Sequence, residues 1–409
     1  MTTFSGEAAQ GPGLRTNRDF IVVLGGQAVS ALGDAITLTA LPLLVLFLTG
    51  SGSLLGIVAV LQLLPNLLLG LPAGALADRW DRRRLMLWAD AGRAVLTAVI
   101  PVSHWLGLPT IAVILIVAAP INALRVLSDA AFTSAVPALV GREHLGRANG
   151  YLEAALSVPF IVGPAIAGVL VATIGAATTL ALDAASFAAS AVSLAFVRRT
   201  LRAERPAEMP RILADIKEGI AFLWNHAVLR SLVAYFAVAT TVTAALLPAL
   251  AYYLTVDRPH GAELFGLVGS AWSVGYLLGS LLAGRLGGKR VGARMLACGA
   301  VIGAMLILIA SSTAPAVYLG AGFFVGAALA VQLVSYMTLR ATITPDELLG
   351  RVGSTARTVT LGLQPLGLLA AGALLDAGDG GLTLLTMGAV AIAATILFGL
   401  SRTVRDAGH

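Results

Sequence analysis

A chain of 409 residues that is 58% hydrophobic and 12% charged is not a soluble globular protein, in which about a quarter of residues are charged. Its formal charge of +6 does not mark a nucleic-acid binder, because the basic residues fall in alternate loops between apolar runs. One cysteine, Cys298, excludes an intramolecular disulfide, and the five histidines form no metal-ligand cluster with it. Phosphate-cradling loops and nucleophile–base pairs at useful spacing are also missing. Neither an enzyme nor a cofactor or metal is expected.

In chain order, residues 1–19 form a polar tail with Arg15 and Arg18 just before the first apolar run. No cleavage pattern follows, so that run is read as a membrane anchor. Apolar runs are predicted at 20–48, 54–77, 83–104, 109–136, 149–172 and 175–197. After a loop come 228–255, 262–286, 291–312, 314–340, 353–375 and 380–402. Each is long enough to cross about 30 Å of hydrocarbon as a helix, and each is continuous rather than alternating, which excludes a β-barrel. The prediction is an all-α integral membrane protein of twelve transmembrane helices. Two six-helix halves, 20–197 and 228–402, flank a central loop at 198–227, and a tail at 403–409 closes the chain.

Charge placement gives the orientation. Of the 27 basic residues, Arg258 alone is expected in an external loop and Arg125 alone well inside a span. Both termini are therefore expected in the cytoplasm. Apart from Lys217 and Lys289 the basic residues are all arginine, which suits a bacterial source of high GC content. The central loop starts with Arg198, Arg199, Arg202 and Arg205, then places Ile212, Ile216, Ile220 and Leu223 at helical spacing. Arg211, Asp215 and Glu218 lie elsewhere on the turn. A short interfacial helix, or a solvated linker, fits this pattern.

The halves echo one another. Glu143-His-Leu-Gly-Arg147 returns as Glu347-Leu-Leu-Gly-Arg351, and at the same offset Gly163, Ala167 and Gly168 fall on Gly367, Ala371 and Gly372. Gly74-Ala-Leu76 is echoed by Gly284-Arg-Leu286, followed by Lys289 and Arg290, and Leu41-Pro42 by Leu247-Pro248. Each match alone is weak, but in order and near one offset they read as two copies of one six-helix unit.

Charged groups inside spans are costly and so are functional candidates. Asp34 lies mid-span in the first helix, where a carboxyl that gains and loses a proton would serve a proton-coupled carrier. A structural bond to a neighbouring helix is the alternative. Arg125 and Asp129 share one face of the fourth span, and Asp183 lies in the sixth. Asp90 and Arg93 read as paired end charges of the third span. Gln62, Tyr235, Trp272, Gln332 and Tyr336 are candidates to line a cavity for an amphipathic organic substrate, with packing or lipid contact as the alternative for each.

Between the second and third spans lies Gly74-Ala-Leu-Ala-Asp78-Arg79-Trp-Asp81-Arg82-Arg83-Arg84. It resembles the signature loop of the major facilitator superfamily, with Gly74, Asp78, Arg79, Arg82 and Arg83 matching by spacing and Asp81 replacing the usual glycine. The Asp-Arg-x-Asp-Arg-Arg form resembles the macrolide-efflux and enterobactin-exporter-like branch. On the fifth span Gly150, Gly163, Pro164 and Gly168 match part of the antiporter motif, while Pro159 and Ala167 replace two of its glycines. Arg125 resembles the arginine linked to proton transfer in the family only loosely, since Leu124 stands where glycine is usual.

The resemblance implies a monomeric cell-membrane transporter exporting drug-, macrolide- or siderophore-like molecules against protons by alternating access. Asp34, Arg125 and Asp183 would be its proton-coupling candidates. Gly74, Asp78, Arg79, Arg82, Arg83 and Asp129 would form a cytoplasmic gate, with Asp129 pairing with Arg82 and Asp78 facing the start of the eleventh helix. Uptake or lipid flipping would keep the fold. A non-transporting sensor or scaffold is the reading from another class, and the intact signature loop and mid-span acid argue against it.

Overall fold

Capping residues and prolines set where the apolar runs become helices. The structure, a computed structural model, describes residues 14, 17–141, 144–197, 201, 212–258, 260–287 and 290–400, with the backbone alone for 71 and 212–217. The first half holds α1 (Arg18–Thr49), α2 (Gly52–Arg79), α3 (Arg82–Trp105), α4 (Thr110–Val140), α5 (Leu145–Ile174) and α6 (Ala176–Ala195). After α7 (Ile212–Asn225) come α8 (Ala227–Ala244), α9 (Leu246–Tyr252), α10 (Gly261–Arg285), α11 (Val291–Ser311), α12 (Pro315–Ile343), α13 (Leu349–Ala377) and α14 (Gly380–Leu400).

Asn17 caps α1 by accepting from the Phe20 N–H at 3.1 Å, and Ser51 caps α2 by accepting from Leu54 at 3.2 Å. Between those helices Gly50 turns the chain at φ +63°, a conformation that favours glycine. Twelve described helical segments are long and apolar enough to span a membrane, with α8, α9 and a π-helical turn at Tyr253–Asp257 counting as one. The predicted continuous run 228–255 is thus interrupted after Ala244. Pro248 has no N–H to donate and its ring crowds the carbonyl four residues back.

Six helices pack on each side of a central interface. α1 lies against α5 and α6, α3 against α4 and α6, and α2 against α4. In the second half α10 and α11 pack on α12, α11 on α14, and α8 on α13 and α14. Outward-facing residues are large and apolar, as at Ile116 (72% exposed) and Leu397 (67%), a surface that hydrocarbon covers.

Two helix pairs join the bundles, α5 with α10 and α2 with α13, and glycine allows both to approach closely. A Cβ on Gly266 would meet the Pro164 carbonyl oxygen at 2.2 Å, and one on Gly56 would meet that of Leu368 at 2.6 Å. A Cβ on Gly168 would strike the Ala262 oxygen, and one on Gly372 the Gly52 oxygen, both at 2.6 Å. Pro164 and Leu368, like Gly168 and Gly372, are 204 positions apart, so the two crossings are the same contact repeated in the two halves. These contacts all lie toward the end of the bundle remote from the signature loop. At the loop end a Cβ added to Gly74, Gly146, Gly150, Gly284 or Gly350 would meet nothing within 4 Å. Among the described residues, the close backbone crossings between the bundles are gathered at the end remote from the loop.

The surface helix α7 docks on α13. Gly219 lies against the Arg351 backbone and Thr355, Leu223 is buried, and Glu218 pairs with Arg351. Ile220, expected on the same face as Leu223, is exposed together with Trp224. Arg15, Glu143, Arg198, Arg199, Arg202, Arg205, Arg211, Lys289 and both terminal tails lie outside the described residues, apart from Leu14 and residues 17–19. The side chains of Ile212, Asp215 and Ile216 do too.

Candidate functional site

The buried charges of the described residues gather in the first bundle. Asp34 on α1 accepts from Arg93 of α3 at 2.5 Å and lies 3.9 Å from Arg125 of α4. Arg93 also approaches Asp90 at 3.8 Å, and its guanidinium lies 3.7 Å from the centroid of the Phe187 ring. Asp90 in turn accepts from Ser128 at 3.2 Å and Ser190 at 2.7 Å. Arg125 reaches Asp129 at 3.7 Å. Asp183 accepts from Thr37 of α1 at 2.5 Å and from Ser186 at 3.2 Å. A buried charge costs several kcal/mol unless it is paired and hydrogen-bonded. Sharing of partners is how α1, α3, α4 and α6 hold so many.

This arrangement corrects one expectation. Asp90 and Arg93 are not end charges reaching for a headgroup, since both are almost wholly buried. Arg93 stands eleven residues into α3, about 16 Å along its axis. It is the main partner of Asp34. The predicted bounds 83–104 already centred on this position, so depth along the helix was the missed signal. The helix pair that carries Asp34 and Asp183 is held close by Gly26 and Gly33 of α1. Cβ atoms there would strike Ser193 and Ser186 of α6 at 2.1 and 2.0 Å.

The cluster opens onto the interface between the bundles. Asp34, Thr37, Arg93, Arg125 and Asp183 line one side of a space of about 90 Å³ whose other walls are largely apolar. It shares Leu38, Leu41 and Gln62 with an apolar cavity of about 270 Å³ that also meets Pro42, Asn66, Pro248 and Gln364. Leu38 and Leu247 link that space to a third, of about 630 Å³, between α5 and α10. Of the residues expected to line a cavity, Trp272 lines the third space and Gln62 the first two. Tyr235, Gln332 and Tyr336 are placed elsewhere. The Gln332 amide donates to the Tyr235 hydroxyl at 3.2 Å and to the Met295 carbonyl at 3.3 Å. Tyr336 stacks on Phe236 with centroids 3.9 Å apart. All three belong to the packed interior of the second bundle, so their duty is internal packing rather than cavity lining. Glu153, overlooked in the sequence because it lies near a helix end, lines the space of about 630 Å³.

The signature loop is formed but unengaged. Asp81, in the position usually held by glycine, caps α3 by accepting from the Arg84 N–H at 2.9 Å, which is a local reason for an acid there. Arg83 donates to the Leu194 and Ala195 carbonyls at 2.9 and 2.7 Å and so closes the end of α6. Arg82 pairs with Asp78 at 3.3 Å, and Arg79 is exposed. The expected Arg82–Asp129 pair is absent among the described residues, because Arg125 one turn away holds Asp129. Among the described residues Asp78 pairs with Arg82 and makes no bond to the start of α13. Of the antiporter-type residues, Gly163 packs on Ala35 beside Asp34, while Pro164 and Gly168 form the crossing with α10. Gly150 faces open space.

Two six-helix bundles around a central cavity bordered by buried charges define a secondary transporter of the major facilitator fold. Residues 14–407 match the family described as transmembrane secretion effector, and the chain belongs to that family, in the macrolide-efflux branch of the superfamily. It is 32% identical over 375 residues to the multidrug efflux pump Tap of Mycobacterium tuberculosis, covering 87% of each chain. It is 26% identical over 372 residues to macrolide efflux protein A of Streptococcus pyogenes, covering 86% of this chain and 87% of the relative. Among solved structures, a variant of the nucleoside transporter NupG superposes with a TM-score of 0.77 at 12% identity, covering 95% of this chain and 99% of that one. A bacterial homologue of the lysosomal transporter Spinster gives 0.71 at 14%, covering 96% and 98%. The chain is a multi-pass membrane transporter, not an enzyme.

Proposed function

We propose that the protein exports small amphipathic organic molecules across the bacterial cell membrane in exchange for protons, by alternating access. Drug and macrolide efflux by the named relatives supports the export direction. The observation that carries the coupling is Asp34, which lines the central cavity while paired to Arg93 and Arg125. Arg93 and Arg125 divide between Asp34, Asp90 and the exposed Asp129, while Asp183 is held by Thr37 and Ser186, so a change of charge on Asp34 alters how both arginines are shared. Protonating Asp34 frees Arg93 to turn fully to Asp90 and Arg125 to Asp129. The tie of α1 to α3 and α4 then loosens, and the bundles repack.

In this reading the arginine-rich end and both termini face the cytoplasm, and the described conformation is open inward. Residues 20–197 and 228–402 rock as two bodies tethered by 198–227, and a monomer suffices. When the outer end opens, the cytoplasmic ends converge. Asp78 then meets the N-terminus of α13, where a helix favours an anion, with Arg79 and Arg82 beside it.

The test is pH-gradient-driven accumulation of fluorescent amphiphiles in inside-out vesicles, wild type against Asp34→Asn. Accumulation lost in the variant and on adding an uncoupler is the expected result. Flux that survives the uncoupler would refute proton drive, and flux that survives the substitution would move coupling away from Asp34.

A further inference from the structure

The cavity between α5 and α10 contains a charge that the coupling cluster does not use. Glu153 of α5 is exposed into a space of about 630 Å³, within the range of drug-sized pockets. Phe160 shares its helix, and Trp272 and Tyr276 face it from α10 of the other bundle. Glu153 has no ion pair or hydrogen bond among the described residues, and every other residue lining this space is uncharged. Arg93 and Arg125 line the neighbouring space and are occupied by Asp34, Asp90 and Asp129. They are not available to neutralise Glu153.

The geometry points to a binding site for amphipathic organic monocations, with Glu153 as counter-ion and Trp272 and Tyr276 as aromatic walls. An unpaired carboxylate in a mostly apolar space attracts a cation more strongly than it would in open water. Aromatic rings such as those of Trp272 and Tyr276, which line the space, add an attraction for positive charge. Leu156, Ile161 and Leu277 receive the hydrocarbon part of the ligand. Anionic molecules, acidic siderophores among them, are repelled by the same carboxylate. Because the walls come from both bundles, a bound cation touches both bodies that move. The inference rests on the proposed export only for the direction of movement and names the substrate class of the same cavity.

The test is equilibrium binding of radiolabelled tetraphenylphosphonium, and of its anionic isostere tetraphenylborate, to the purified full-length protein in nanodiscs without any gradient. Wild type is expected to bind the cation saturably and to show no saturable site for the anion. Glu153→Gln should weaken cation binding at least tenfold, equivalent to about 1.4 kcal/mol. Glu153→Asp should retain most of it, and Trp272→Ala should lose several-fold. Glu153 is exposed and unbonded, so Glu153→Gln is expected to leave the elution profile and thermal unfolding unchanged. Equal cation affinity in Glu153→Gln, no cation binding in wild type, or equal binding of the anion would overturn the assignment. Charge-dependent binding without outward transport in vesicles would instead uphold the site and refute the export reading.

Discussion

Asp376, in the last turn of α13, ties the two bundles together at the closed end. Its carboxylate accepts from the Gly52 N–H at 2.5 Å, the Ser53 N–H at 3.0 Å and the Ser51 hydroxyl at 3.1 Å, all at the start of α2 in the other bundle. Its counterpart in the first repeat, 204 positions earlier, is Ala172, so among the described residues this charged tie has no match on the other side of the pseudo-symmetric interface. Hydrogen bonds to an ionised group are worth about 1.5–3 kcal/mol each when sheltered. Asp376 is exposed to solvent, and screening lowers the three together to about 1–2 kcal/mol. Asp376→Ala removes the acceptor entirely, whereas Asp376→Asn removes the charge and keeps one carbonyl. Ser51 still caps α2 through Leu54 in both variants, so the helix end holds. The lost energy falls on the closed state alone and shifts the closed-to-open ratio about 5–30-fold. The assay is electron–electron distance measurement between spin labels at Leu106→Cys and Thr313→Cys, on the two bundles at that end, in a Cys298→Ser background. The longer-distance population should grow in Asp376→Asn and further in Asp376→Ala. An unchanged distance distribution in Asp376→Ala would refute the tie.

Removing Arg93 leaves Asp34 and Asp90 without their shared partner. Arg93→Ala should cost about 3–5 kcal/mol and lower the unfolding temperature, and adding Asp34→Asn should restore part of it. No recovery in the double variant would show that Arg93 acts mainly through packing. Gly266→Leu places side-chain atoms where the Pro164 carbonyl now lies, so the same pair of spin labels should report a predominantly open end. Wild-type distances in that variant would overturn the close-approach argument. Asp78→Ala should abolish transport while the protein still inserts into the membrane, and full activity in that variant would sink the proposed latch.

Much of the architecture was legible because lipid imposes a simple demand. Every backbone N–H and C=O within hydrocarbon must be paired inside its own helix, so continuous apolar runs of about twenty residues become spans whatever their neighbours are. The repeat was legible too, because the glycines of the interface must recur where the same crossing is made twice. Gly168 and Gly372 show this. The signature loop could be read from its spacing, and the role of Asp81 as a helix cap is local enough to follow from its place before α3.

Partnership between helices is another matter. Asp34, Arg93, Arg125 and Asp183 lie on four different helices, and only the packing of α1 against α6 and of α3 between α4 and α6 brings them together. The same pattern of polar residues in the second half, Tyr235, Gln332 and Tyr336, turns inward because those helices bury them against Met295 and Phe236. The charge of Glu153 acquires meaning only when α10 sets Trp272 and Tyr276 opposite it. Hydropathy and the spacing of glycine and arginine along the chain determined the spans, the doubling and the family. The tertiary structure decided which charges neutralise one another, which polar groups meet the cavity and which end is closed, because these depend on distances between helices that are far apart in the chain.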